Sequence, residues 1–563
     1  MPCGRGDTVQ DVRELDPGLI RERCTYPAPT LPAEPAKGPS KYEWKFSDRF
    51  GNKHGRFTYR PAAGLETAGE QPWTDVFGRN VHLSEYRVGV DFAVATVAED
   101  ETFTIQRIVP PRPPVELFRT HEKTEIYGLS ADGQFILVQS GDWLLPELMV
   151  LDLEGRVLAR LDAFAGVKGC WAGEWAPTIG DQRIVFRHER TGYFQPAIWW
   201  PFEQRAEAVP VELEGEVHPI WDKTGTALIL RRDWNGRSDL HRLNLETRER
   251  EQLQPLDGVV FSYRLDPENR VEGFWAVNDR YAGTFRERER FPNALFKPSV
   301  PLTPWKFRRI AGVPCFVVGG QKSGSRWTIF DGYGMAGYHH ADGYNTKIHT
   351  LADHGFQVVM VNTRGCGGFG REWREAKRGR VGFTELEDLR RVRTALVEEG
   401  WVDNDRTIIT GDSWGGLMTL LAMGTQPELW RMGAAVSPVA DYEQAHWAAS
   451  PMIRGVNRCE FGGNPRTHSD AYRKVSPLTY VDRIRAPVLI VAGRDDLLCP
   501  PGQNISFAET LRARGGECEL YLYEGGHGAP DREERIRQHT RMIEFLLAHC
   551  RAFDAKAGTV RTI

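Results

Sequence analysis

Long apolar runs are missing from this sequence. The longest, such as Phe356–Val361, falls far short of the roughly 20 residues that cross a bilayer as a helix, so a membrane partner is not expected. No block of Lys and Arg stands out and the formal net charge is -4, which argues against a nucleic-acid partner, because phosphate binding needs concentrated positive charge. Cysteine is sparse and scattered: Cys3, Cys24, Cys170, Cys315, Cys366, Cys459, Cys499, Cys518 and Cys550 form no CxxC pair with metal-ligand spacing. Nine is an odd number, and free thiols in a reducing cytoplasm are the expected state. The first residues, Met-Pro-Cys-Gly-Arg-Gly-Asp, hold no apolar core of a signal peptide, so export by that route is not expected.

What is present is a chain too long for one hydrophobic core. Cores stop growing at roughly 250–300 residues, and this chain has 563, so two domains are expected. Residues 1–45 are rich in proline and charge, as in Thr25 to Pro39, and read as an N-terminal arm. From about 46 to 300 short strands alternate with Gly, Asp and Asn turns. Ser130-Ala131-Asp132-Gly133 precedes the strand Gln134 to Val138, and Asp222-Lys223-Thr224-Gly225 precedes the strand Thr226 to Leu230. Units of this kind recur at about 45 residues, the spacing of four-stranded propeller blades, and five or six would fit. The competing architecture is a β-sandwich with accidentally similar turns. Residues 301–563 alternate buried strands with helices, which implies an α/β domain with a mostly parallel, doubly wound sheet. Its expected strands are Trp327 to Phe330, Phe356 to Val361, Thr407 to Thr410, Gly433 to Ser437, Val488 to Ala492 and Cys518 to Tyr523.

The chemistry concentrates in that second half. Gly411-Asp412-Ser413-Trp414-Gly415 stands between the strand Thr407 to Thr410 and a helix beginning at Trp414. A strand-to-helix turn this tight strains the residue at its centre and needs small neighbours. Ser413 is therefore the candidate nucleophile, and the Trp414 amide at the helix start is a candidate donor to a developing oxyanion. A serine needs a base, and the base needs a carboxylate, in the order Ser, Asp or Glu, His for this kind of sheet. The strand Val488 to Ala492 runs into Gly493-Arg494-Asp495-Asp496. The strand Cys518 to Tyr523 runs into Glu524-Gly525-Gly526-His527. His527 is the candidate base, and either Asp495 or Asp496 can orient it.

Five segments of this half resemble the prolyl oligopeptidase family of serine peptidases, which belongs to the α/β-hydrolase superfamily. They are Asn362 to Gly370, Gly411 to Gly416, Ser476-Pro477-Leu478-Thr479-Tyr480, Ala486-Pro487-Val488 and Gly526-His527-Gly528. The family also contains acylaminoacyl peptidases and dipeptidyl peptidases. The resemblance is strong over about residues 300–550 and only architectural before that. It implies an α/β-hydrolase domain capped by an N-terminal all-β propeller that admits small, flexible substrates. It selects Asp496 over Asp495, because Asp496-Leu497-Leu498-Cys499-Pro500 resembles the family's Asp-x-x-Val-Pro. It also implies a second oxyanion donor at Tyr333, in Phe330-Asp331-Gly332-Tyr333-Gly334-Met335, with the amides of Gly334 or Met335 as the substitutes. No metal or organic cofactor is implied.

The sequence departs from the family at two places near the site. Leu498 stands where these peptidases often carry Arg or Asn to hold a substrate carbonyl, and Trp414 stands where Tyr, Asn or Ala is commoner. With Trp414, the candidates for an apolar substrate wall are Val439, Tyr442, Trp447 and Leu498. The expected activity is cleavage of short peptides or acyl and aminoacyl amides. The alternatives are an esterase, thioesterase or acyltransferase acting on acylated small molecules with the same residues, and an inactive binding protein that uses its propeller.

Overall fold

A computed structural model describes residues 115–254, 258–265, 303–319, 326–335 and 338–560, residue 15, and the strands between 44 and 108 and between 271 and 295. The arm read in residues 1–45 lies almost wholly outside the described residues.

The first half is built from five four-stranded antiparallel sheets in chain order. Their first strands are His82–Val88, Thr124–Leu129, Trp171–Trp175, Glu216–Trp221 and Val259–Leu265, which begin 42, 47, 45 and 43 residues apart. The repeated turns explain the period. Asp222 Oδ1 accepts from the amides of Thr224, Thr226 and Ala227 at 3.2, 3.1 and 3.2 Å, and Gly225 takes φ 72°. Asp132 Oδ1 accepts from the Gln134 amide at 3.1 Å, and Gly133 also takes φ 72°. Both turns put a glycine where a side chain would be strained, so each reverses the chain into the next strand. A further short pair, Trp44–Ser47 with Lys53–Phe57, precedes the five sheets.

The second half holds one eight-stranded sheet. Numbered along this half, its strands are β1 (Trp305–Ile310), β2 (Val313–Val318), β3 (Thr328–Tyr333), β4 (Gln357–Asn362), β5 (Thr407–Asp412), β6 (Met432–Val436), β7 (Val488–Gly493) and β8 (Cys518–Tyr523). Their order across the sheet is β1-β2-β4-β3-β5-β6-β7-β8. The first two strands join antiparallel, and all pairings from β4 to β8 are parallel. β2, β4 and β7 are buried along their whole lengths, as expected for strands covered on both faces. One apolar core lies under the helices Phe383–Glu398 and Trp414–Thr425, and a second under Arg532–Val560. Parallel strands leave all their carboxyl ends on one edge, and that edge carries the site.

Charged contacts join the two halves there. The Arg374 guanidinium forms a two-pronged pair with the buried Glu189 carboxylate, and the Gly370 amide donates to Glu216 Oε1 at 3.2 Å. Arg237 Nε lies 2.7 Å from Asp342 Oδ2, and Arg378 lies 2.9 Å from Asp142. No helix among the described residues is long and apolar enough to cross a membrane.

Candidate active site

Three strand ends build the site. β5 runs into Ser413, whose φ of 55° and ψ of -112° are strained for a residue with a side chain. The turn is tight enough that a Cβ on Gly411 would lie 2.4 Å from the Gly415 carbonyl carbon, and one on Gly415 would lie 2.4 Å from the Gly332 oxygen. Only glycine fits at either place. The helix Trp414–Thr425 starts immediately after Ser413, and no described side chain caps it. Its first-turn amides and the positive end of its dipole therefore face the turn.

β7 delivers Asp496 and β8 delivers His527. His527 Nδ1–H donates to Asp496 Oδ2 at 2.8 Å. Asp496 is 2% exposed, and its other oxygen accepts from the amides of Leu498 and Cys499 at 2.9 and 2.8 Å. The neighbouring Asp495 is exposed. Burial alone would push the His527 pKa down. The Cys499 sulfur and the Asp496 carboxylate act the other way, and the net direction is upward, which favours the imidazolium that forms once the ring has taken a proton. A buried carboxylate on Nδ1 fixes the tautomer that leaves Nε2 to receive a proton. The Cys499 sulfur sits beside His527 and Ser413.

Residues 343–552 match the prolyl oligopeptidase family. The match lies wholly inside the second half of the chain. Acylamino-acid-releasing enzyme 2 of Oryza sativa subsp. japonica is 28% identical over 188 residues, which is 32% of this chain and 24% of that protein. The aligned part thus spans about a quarter of the length of that curated relative. The crystal structure of a puromycin hydrolase superposes with a TM-score of 0.67 at 19% identity, covering 82% of this chain and 77% of the other. An acylaminoacyl peptidase in complex with Z-Gly-Gly-Phe-chloromethyl ketone superposes with a TM-score of 0.56 at 14% identity, covering 83% and 96%. The likeness to these two structures extends over both halves, so the fold of an N-terminal β domain on an α/β-hydrolase domain is shared with them.

Ahead of the matched residues, Tyr333 ends β3 and lies edge-on to His340 and Tyr338, with ring centroids 5.6 and 6.3 Å away. Burial, reinforced by Tyr338 and Asp412, pushes its phenol well above the ordinary range, so it stays a proton donor. Val439 and Tyr442 are buried in the core that Trp414 and Leu498 pack against. The Tyr442 phenol is also raised, by burial first and then by Cys499 and two glutamates. Trp447 stands apart: it is 38% exposed and the Arg466 guanidinium lies 4.9 Å over its ring. Leu498 gives its amide to Asp496 and is half-buried.

Two charged clusters escaped the reading of the sequence. Lys347 Nζ lies 2.6 Å from Asp331 Oδ2 and 2.8 Å from Asp412 Oδ2, directly before Ser413. Lys377 Nζ lies 3.8 Å over the Trp414 ring and 3.1 Å from Glu460 Oε1, while Trp414 Nε1 donates to Glu385 Oε1 at 3.3 Å. The only signal in the sequence was a charged residue, Asp331, inside an apolar strand.

Proposed function

We propose that this protein is a serine hydrolase of the prolyl oligopeptidase type, cleaving short peptides or acyl and aminoacyl amides through an acyl-enzyme on Ser413. The observation that carries this reading is the 2.8 Å bond from His527 to the buried Asp496, beside a serine held at φ 55°. His527 Nε2 takes the hydroxyl proton as Ser413 Oγ bonds to the acyl carbon, and the carbonyl electron pair moves onto oxygen. The Trp414 amide and the Tyr333 hydroxyl donate to that oxyanion. Its collapse breaks the bond to the leaving nitrogen, which receives the proton from His527. Water then repeats the sequence and frees Ser413.

Residues 46–300 act as a β-propeller over residues 301–563, with residues 1–45 as an arm. The near-constant step between the five sheets supports this division. Val439, Tyr442 and Trp414 form an apolar wall, and Leu498 makes it less able to grip a peptide carbonyl. The seven described cysteines are all free, which fits a reducing compartment such as the cytoplasm.

Ser413→Ala should abolish both turnover and labelling by a fluorophosphonate probe, with a loss of roughly four to six orders of magnitude in rate. Labelling that survives the substitution would sink the assignment, and a binding protein would not label at all. Leu498 favours one second reading, ester or thioester cleavage, since its apolar side chain offers no hydrogen bond to a peptide group. Matched aminoacyl amides and esters, compared by kcat/KM, decide between the two.

A further inference from the structure

We propose that Cys499, His527 and Asp496 form a site for a soft divalent cation, with zinc as the tested case, and that filling it reversibly switches the Ser413 machinery off. This rests on the role given to Ser413 above. One ligand atom from each of the three residues lies within 4.8 Å of the other two. A tetrahedral zinc ion with bonds of roughly 2.0–2.3 Å holds its ligand atoms about 3–4 Å apart, so modest rotation of Cys499 brings its sulfur to that spacing from the imidazole. The sulfur sits beside His527 and Ser413, and Cys499 is only 5% exposed.

The donor chemistry is selective. A thiolate and an imidazole suit zinc and disfavour magnesium or calcium, which require oxygen. Asp496 Oδ2 already holds His527 Nδ1–H at 2.8 Å. A carboxylate behind a histidine is the arrangement that orients metal-binding imidazoles, and it leaves Nε2 free for the ion. Cys499 and His527 are then the direct ligands, Asp496 supplies charge and orientation, and Ser413 or water completes the shell. Two strong protein ligands fall short of the four of a structural zinc site, so the ion exchanges with solvent. Cys499 stands where the family pattern Asp-x-x-Val-Pro has valine, so the switch belongs to this chain and not to the triad as such.

Binding involves no change of oxidation state. The Cys499 S–H bond breaks, its proton goes to solvent, and the sulfur pair bonds the metal. The Nε2 lone pair also goes to the metal, so His527 can no longer take the proton of Ser413.

The test uses the full chain, titrated with zinc while fluorophosphonate labelling and turnover are followed, each relative to the metal-free rate of the same variant. Zinc should slow both, and a chelator should restore them. In Cys499→Ala the midpoint should rise by at least about a hundred-fold, since a direct ligand outweighs the ten- to hundred-fold of an outer partner. Cobalt added to the unaltered protein should give a thiolate-to-metal charge-transfer absorption that Cys499→Ala lacks. Equal midpoints in the two proteins, or cobalt bound without that absorption, would overturn the site. Should Cys499→Ala fail to fold, Cys499→Ser keeps the size, and the cobalt spectrum of the unaltered protein still decides. If Ser413 fails to label even without metal, the hydrolase reading falls while the spectrum still answers for the site.

Discussion

Ser413 is flanked by two clusters of the same make-up, one lysine between two carboxylates, and the fold resolves them in opposite ways. Before it, Lys347 bridges Asp331 and Asp412 at 2.6 and 2.8 Å, and Thr410 Oγ1 donates to Asp331 at 2.8 Å. After it, Lys377 Nζ, Glu385 Oε2 and Glu460 Oε1 are buried with no aligned hydrogen-bond partner among the described residues. The titration follows the geometry. Burial would raise Asp331, yet the Lys347 ammonium outweighs it and holds the carboxyl below the ordinary range. Burial does raise Glu385, to about 7, and Lys377 only partly offsets it. Charge count is therefore a poor guide to a buried cluster, and alignment decides. The first cluster is a clamp on the strand end that aims Ser413. The second leaves polar capacity behind Trp414, proposed above as part of the apolar wall.

Asp496 and Asp495 offer the same contrast between a satisfied and a solvated carboxylate, and the largest effect. Asp496→Asn should lower kcat/KM by roughly ten-thousand-fold, because an amide can hold the imidazole in the wrong tautomer. Asp495→Asn, at an exposed position, should stay within a few-fold. The reverse ranking would move the carboxylate role to Asp495. Next in size, Lys347→Met strands the buried Asp331 carboxylate and frees the half-exposed Asp412, and should cost about 3–5 kcal/mol in denaturant unfolding. Lys377→Met strands only Glu460 near pH 6, because Glu385 already holds its proton there, and should cost less. Equal losses would erase the distinction between clamp and wall.

Much of the site was legible in the sequence because its signals are local. The turn Gly411 to Gly415 lies between an apolar strand and a helix, Asp496 follows the apolar run Val488–Gly493, and His527 follows Leu520 to Tyr523. Lys347, Lys377 and Glu385 gave no such signal. On helices and loops of mixed polarity, a charged residue reads as solvated, and only the packing of distant segments buries it. The hairpin of β1 and β2 was missed for a related reason. Pro314 opens β2 and weakens its strand pattern, yet the strand survives because Arg309 pairs with Pro314 and the missing donor falls at the hairpin end. Trp447, grouped by sequence with Val439 and Tyr442, points to the exposed face of the helix Tyr442–Ala448 because Arg466 stacks on it there.

Tyr333 sharpens the picture of the clamp, since it ends the strand that carries Asp331. Tyr333→Phe should lower kcat by about a hundred- to a thousand-fold with little change in KM, because its bond strengthens only as charge develops on oxygen. A loss confined to KM would pass the donor role to the amide of Gly334 or Met335.

The smallest effect concerns Glu385, and its sign separates the two clusters most directly. Its folded pKa is raised from an ordinary 4.5 to about 7, first by burial. A carboxyl with a raised folded pKa binds its proton more tightly when folded. Its favourable contribution is complete below about 4.5 and is lost as pH climbs through about 7. Glu385→Gln removes that ionisation while keeping an oxygen for the Trp414 indole. The variant should therefore match the parent near pH 4.5 in denaturant unfolding. It should overtake the parent as pH rises and level off above about 7, at a gain of up to about 3 kcal/mol, given roughly 1.36 kcal/mol per pKa unit. Asp331→Asn should do the opposite, losing stability most where the carboxylate is ionised against Lys347. Parallel curves for Glu385→Gln and the parent across this range would mean that Glu385 is held as an ion like Asp331, and the two clusters would be alike after all.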